Sequence, residues 1–393
     1  MFNGLIDLPA WGYVAVALAF THGTIAGVTI YLHRHQAHRA INLHPAVSHV
    51  FRFWLWVSTG MGTRAWTAVH RKHHAFVETD RDPHSPQVQG LRRILLEGAE
   101  AYQRAAREEA TLAQFGHGTP DDWIERHLYT AHPNLGIGAM LALNFLLFGF
   151  LGLTIWAVQM MWIPIFAAGI VNGVGHYAGY RNYESADASR NISPIGILIG
   201  GEELHNNHHA FASSAKFSAR WWEFDLGWFY ICLLRAFGLA SVKKLAPRPY
   251  VRRDQPVVDL ETVHAVVGAR LEVMRDYTRQ VVRRVYRDEL DQAGAQCRAV
   301  LRAARGLLHR EHSLLNDDAR MRLSRALDES RTLATVYQYR QRLQALWNDR
   351  GATPEHLRHL LQEWCHQAEQ TGVKALEEFA RVLRGYALAP AAV

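Results

Sequence analysis

"PAVSHVFRFWLWVSTGMGTRAW", residues 45–66, is apolar over most of its length but carries His49, Arg52 and Arg64. It separates two histidine clusters, "HRHQAH" (33–38) and "HRKHH" (70–74). If the stretch crosses a bilayer, the clusters lie on opposite faces and cannot share a site. If it does not, they face the same side. An arginine about one third of the way into a span is costly. The stretch therefore reads as interfacial or re-entrant, and the two clusters as neighbours in space.

The preceding segment, Pro9 to Leu32, is 24 residues without Lys, Arg, Asp or Glu. As a helix it would be about 36 Å long, enough to span a membrane. A signal peptide would want a basic leading region and a small-residue cleavage site. Here the basic residues, Arg34 and Arg39, follow the apolar run, which orients its carboxyl end to the cytoplasm. Residues 78–134 are polar, with a charged helical portion from Leu91 to Gln114. From Leu135 to Gly175 there are 41 residues without a formal charge, about twice one span. They read as a hairpin of two crossings turning near Thr154 to Gln159. Residues 220–240 interleave Trp and Tyr with Arg220, Glu223, Asp225 and Arg235, the pattern of a helix lying in the headgroup layer.

Long apolar runs stop near residue 240. Beyond Pro247 and Pro249 the chain becomes charged and amphipathic at helical spacing. The expected fold class is all-α: a membrane-embedded helical core over residues 1–250 and a charged helical extension over 251–393. The net charge of +7 is spread among acidic residues with no binding motif, so no nucleic-acid partner is expected. Three scattered cysteines, Cys232, Cys297 and Cys365, form no metal or disulfide framework.

A third cluster, "HNNHH" (205–209), repeats the His-x-x-His-His spacing of "HRKHH". Random placement of 23 histidines in 393 positions predicts about 0.08 such copies. On a helix, positions i, i+3 and i+4 share a face, so all three imidazoles of a cluster can point at one spot. The clusters at 33, 70 and 205 all follow elements that place them on one side of the membrane. "VNGVGHY" adds Asn172 and His176, four apart on the last span. The candidates are His33, His38, His70, His73, His74, His176, His205, His208 and His209, with Asn172 completing a shell directly or through water. Nine imidazoles exceed one ion's capacity, so two metals with four or five nitrogens each are expected. Neutral imidazole suits iron, zinc, copper and nickel. His35 falls on another side of its helix, and His84 in "DPHSP" reads as a lone structural histidine. The basic residues Arg34, Arg71 and Lys72 read as holding the inner membrane face. The zinc-protease His-Glu-x-x-His pattern is absent, within residues 1–250 only Glu202 and His205 form a Glu-x-x-His pair, and no nucleotide loop appears.

The boxes "HRHQAH", "HRKHH" and "HNNHH", with "DPHSP" and "GEELHNNHH" around them, resemble the integral-membrane fatty acid desaturases of the acyl-CoA Δ9 type. Over about residues 8–245 the likeness is strongest to bacterial members of pseudomonad type. That resemblance implies a di-iron centre held by the nine histidines, with Asn172 reaching one iron through water. It implies O2 as co-substrate and an oxidoreductase that inserts a cis double bond into a long saturated acyl chain, as acyl-CoA or phospholipid. It also implies a bacterial inner membrane location with the site cytoplasmic. No His-Pro-Gly-Gly signature of a fused cytochrome b5 appears, so electrons are expected from a separate protein of ferredoxin or flavin reductase type. A membrane di-iron hydroxylase is the alternative, and a metal transport protein a remoter one. The extension has no counterpart in the family; homodimer formation is one role open to it.

Overall fold

The structure is a computed structural model that describes residues 4–347 and 351–389. Its contacts divide into two compact units. One runs through Arg181 and resumes from Asp187 to Ala246; the other takes Asn182–Ala186 and the chain from Pro247 onward.

The first unit begins with α1, Ala10–Ala37, a 28-residue helix long and apolar enough to cross a membrane. The apolar run ends at Leu32, but the helix does not, because the polar residues after it are buried: Arg34 is 0% exposed. Over Gly27–Ala37 the turns widen, and His38 N–H donates to His33 O, five residues back, at 3.0 Å. Five residues along a regular α-helix are about 140° apart. The wider turn instead brings the His33 and His38 rings to 4.9 Å.

Helix α2, Pro45–Thr59, starts with proline at its first position and with His44 capping Ala46 N–H. It ends at Gly60 with φ 66°, where an added Cβ would also meet Ile137 at 2.8 Å. The chain then turns into α3, Thr63–Phe76. At 15 residues, α2 is not among the helices long and apolar enough to cross. Arg52, the costly residue, is paired: it donates to Asp122 at 2.7 and 2.9 Å and to Glu125 at 2.9 Å. The Asp122 and Glu125 carboxylates thus compensate its burial. His70 on α3 stands 4.4 Å from His33 on α1, ring to ring.

The charged portion is helical as α4, Leu91–Ala106. Then α5, Pro133–Phe148, and α6, Phe150–His176, form the apolar hairpin; α6 has 27 residues, also enough to cross. The turn is not at 154–159 but at Gly149, with φ 60° and ψ −140°, backbone that only glycine adopts without strain. Uniform apolar composition hides this break. Close packing of the hairpin reinforces it, since a Cβ at Gly152 would stand 2.0 Å from Asn144 O. Helices α7, His205–Ala210, and α8, Leu226–Ala236, complete the unit. Two short strand pairs tie it: Ile41–Leu43 antiparallel to Ala240–Val242, and Ile195–Gly196 parallel to Phe224–Asp225.

The second unit is a helical bundle from Leu260 to Arg384, with amphipathic helices around Tyr277, Leu333, Leu343, Trp364 and Phe379. Two of its buried aromatic tips find backbone partners: Tyr277 Oη donates to Val336 O and Trp364 Nε1 to Tyr339 O. Pro249–Val251 pairs with Tyr386–Leu388, tying its two chain ends together.

Candidate metal centre

All nine sequence-selected histidines meet in the first unit, divided into two groups. His33, His38, His70, His74 and His208 form one; His73, His176, His205 and His209 form the other. Within each group the ligand nitrogens lie within 4.8 Å of one another. Four elements contribute: α1 with the residue after it, α3, the end of α6, and α7. The i, i+3, i+4 spacing divides each box, so that α3 sends His70 and His74 to one group and His73 to the other. Helix α7 likewise sends His208 to the first, and His205 and His209 to the second.

The nitrogens face each other. Nε2 of His38 is 2.8 Å from that of His70, and Nε2 of His205 is 3.0 Å from that of His176. Nε2 of His208 faces both His33, at 3.1 Å, and His74, at 2.9 Å. One proton can be shared by two facing nitrogens but not by three lone pairs at once; a cation at the centre satisfies them all. Burial, and then the neighbouring imidazoles, hold His38, His70, His74, His205 and His208 well below the ordinary histidine pKa. Burial pulls His209 down to about 4 despite Asp187 beside it. These six rings are therefore neutral at physiological pH, with a lone pair free for a metal. This donor set fits two ions of the iron, zinc, copper or nickel kind.

Four carboxylates orient these rings. Nδ1 of His33 meets Glu202 at 2.8 Å, His73 meets Asp82 at 3.0 Å, His176 meets Glu78 at 3.2 Å and His209 meets Asp187 at 3.1 Å. Each carboxylate accepts a hydrogen bond from Nδ1–H and turns Nε2 toward the centre. Sequence reasoning missed all four as partners, although Asp82 and Glu202 sit inside the quoted "DPHSP" and "GEELHNNHH" motifs. Glu78 and Asp187 carry no local signal. Glu78 has φ 60°, a strained backbone for a non-glycine residue.

His84 is not an isolated structural histidine. It stacks on His73 at 4.5 Å, and neither ring nitrogen has a protein partner among the described residues. His73, Asp82 and His84 form a third close set. His35 does stand outside both groups, with Nδ1 on Ile41 O at 3.1 Å. The three basic residues near the boxes are engaged in the protein. Arg34 pairs with Asp225, Arg71 donates to the carbonyls of Ala37, Gln36, Phe115 and His117, and Lys72 pairs with Glu108.

A cavity of about 270 Å³ opens beside the histidines. Its wall is mostly apolar, with Ile25, Val28, Met61, Ile163, Ala168 and Val171; His33, His70, His205 and Asn172 border it as well. Such a space, mostly apolar and edged by nitrogen donors, suits a hydrocarbon chain presented to metal.

Residues 9–230 match the family model described as fatty acid desaturase. The chain belongs to the fatty acid desaturase family. Among its curated relatives, this desaturase is 32% identical to the sn-1 stearoyl-lipid 9-desaturase of Synechocystis sp., over 60% of this chain and 74% of that protein. It is 30% identical to Delta-9 acyl-lipid desaturase 1 of Arabidopsis thaliana, over 62% of this chain and 79% of the relative. The sn-1 stearoyl-lipid 9-desaturase of Anabaena variabilis is also 30% identical, over 61% and 86%. The desaturase match ends at residue 230, and residues 271–389 match a model described as transposase. The desaturase is thus an oxidoreductase whose histidine groups fit a two-metal site.

Proposed function

We propose that the enzyme inserts a cis double bond at the Δ9 position of a long saturated acyl chain carried on a membrane lipid. The observation that carries this reading is the pairing of two histidine groups with one apolar cavity. The relatives, named as acyl-lipid and stearoyl-lipid desaturases, favour the position and the lipid-bound chain over acyl-CoA.

The nine histidines would hold two irons, with Asn172, at the cavity edge four residues before His176, as a further ligand directly or through water. When bound, the iron pair supplies the oxidising power from O2 that removing hydrogen from an unactivated methylene demands. The balance is simple: two hydrogens leave adjacent methylenes, two electrons and two protons come from outside, and O2 leaves as two waters. A separate electron-transfer protein of ferredoxin or flavin reductase type supplies the electrons.

The chain's own residues do the positioning. The cavity wall presents one C–H bond to the histidine face, which sets regiochemistry. Glu202, Asp82, Glu78 and Asp187 hold the Nδ1 protons and fix the ring angles. The positive-inside rule puts the histidine face, and with it the extension over 251–393, on the cytoplasmic side.

Fatty acid profiling of a host expressing the chain with a working donor, beside His73→Ala, tests the reading. New cis-monoenes from the intact protein alone, with two irons per chain, support it. Hydroxy acids would favour a hydroxylase, and no lipid change in folded, iron-loaded protein would overturn it.

A further inference from the structure

The carboxylates behind the two histidine groups are unevenly shared. We propose that the four-histidine group is the tighter of the two metal sites, and that Glu78, Asp82 and Asp187 are the positioning residues that make it so. The inference rests on the two-metal reading above.

Three of the four rings in that group have a carboxylate on Nδ1: His73 with Asp82, His176 with Glu78 and His209 with Asp187. In the five-histidine group, among the described residues, only His33 has one, Glu202. That carboxylate also accepts the Thr29 hydroxyl at 2.6 Å, as its three counterparts accept backbone N–H groups. Positive charge also acts on this side, with Arg34 on Glu202 and Arg71 on His38. A carboxylate on Nδ1 makes the ring a stronger donor and adds negative charge near the cation.

The three carboxylates are anchored, so they act through the rings rather than swinging in as ligands. Asp82 accepts the backbone N–H of Glu78 at 2.9 Å and of His84 at 3.1 Å. Asp187 accepts Ser189 N–H at 3.0 Å, and Glu78 accepts Ala188 N–H at 2.7 Å. Glu78, which follows α3, is thereby latched to the loop that carries Asp187.

An outer carboxylate of this kind is worth about 10–100-fold in metal affinity. Three against one leaves two extra partners, an advantage of about 10²–10⁴-fold before the fifth imidazole is counted. Asn172, on the same helix as His176, narrows the difference in donor number. Charge then decides the order.

The test challenges the full-length, iron-loaded protein in detergent with increasing concentrations of a chromophoric iron chelator and counts ions retained per chain. The expected result is two separated steps. Asp187→Asn and Asp82→Asn, on different elements, each weaken the more resistant step by about 10–100-fold, while Glu202→Gln weakens only the labile one. Use of two carboxylate variants from separate segments guards against a folding defect in either. The proposal is overturned if Glu202→Gln weakens the resistant step, if the aspartate variants act on the labile one, or if both ions leave in one step. Wild-type protein that carries fewer than two ions would instead overturn the two-metal reading itself.

Discussion

Arg34 and Asp225 form an ion pair at 2.9 Å in which both side chains are wholly shut off from solvent. Arg34 directly follows the metal-site residue His33, and its guanidinium lies 3.8 Å over the Phe217 ring. Asp225 also accepts the N–H of Phe217 at 2.7 Å and of Trp228 at 2.9 Å, capping α8. The pair therefore pins the first histidine box to the segment that follows the third. Asp225→Ala leaves a buried guanidinium unpaired and is expected to cost about 3–5 kcal/mol. The double replacement Arg34→Met, Asp225→Leu removes both charges and recovers part of that loss. Thermal unfolding of the purified variants checks the order.

His70 and His35 are both near the boxes but differ in role. His70→Ala removes a nitrogen from the five-histidine group and should reduce bound metal from two ions toward one and abolish monoene formation. His35→Ala, outside both groups, should keep both ions and most activity. Metal analysis of the two proteins side by side decides it.

Metal-free protein should be acid-sensitive. In the folded state burial holds His38, His70, His74, His205 and His208 well below their ordinary pKa. In the unfolded chain they titrate near about 6.5. Below that value the unfolded state binds more protons, so the stability present above it is lost as pH falls. Tm of the metal-free protein should decrease between about pH 7.5 and 5.5, and adding metal at neutral pH should raise Tm by mass action. A flat Tm across that range in the metal-free form would contradict the burial of neutral rings.

Arg52 and Glu125 are both nearly shut off from water, with 8% and 5% side-chain exposure. Arg52→Leu strands the Glu125 carboxylate and is expected to destabilise by about 3–5 kcal/mol. Adding Glu125→Gln should restore part of it. Asp122, half exposed, matters less. Unfolding curves of the three variants, with Asp122→Asn as the third, test this ranking.

Ala168 lines the cavity on α6. Ala168→Phe fills part of its volume and should shift products toward shorter chains by about 10-fold or more in the long-to-short ratio, since each excluded methylene is worth roughly 1–3 kcal/mol. The product chain-length distribution, normalised to protein and iron content, reads this out.

The histidine boxes were legible because helix geometry links spacing to direction: His70, His73 and His74 share a face whatever surrounds them. His33 and His38 were legible as a box, yet their meeting depends on a widened turn that no residue in "HRHQAH" announces. The hairpin turn at Gly149 was missed because apolar composition is uniform across it, while the backbone angle that breaks the helix is a property of one glycine. Arg52 counted against a full membrane crossing, but the partners that offset its burial lie about 70 residues away, beyond any local pattern.

By itself the sequence determined the number of imidazoles, their spacing and the apolar lengths that carry them, because these follow from local helix periodicity and hydrophobicity. Only the tertiary structure decided how the nine rings divide into five and four, and which carboxylate backs each ring. His33 and Glu202 are 169 positions apart, and His176 and Glu78 are 98 apart. Such pairs are chosen by how whole helices pack, where burial leaves an unpartnered polar group too costly to keep.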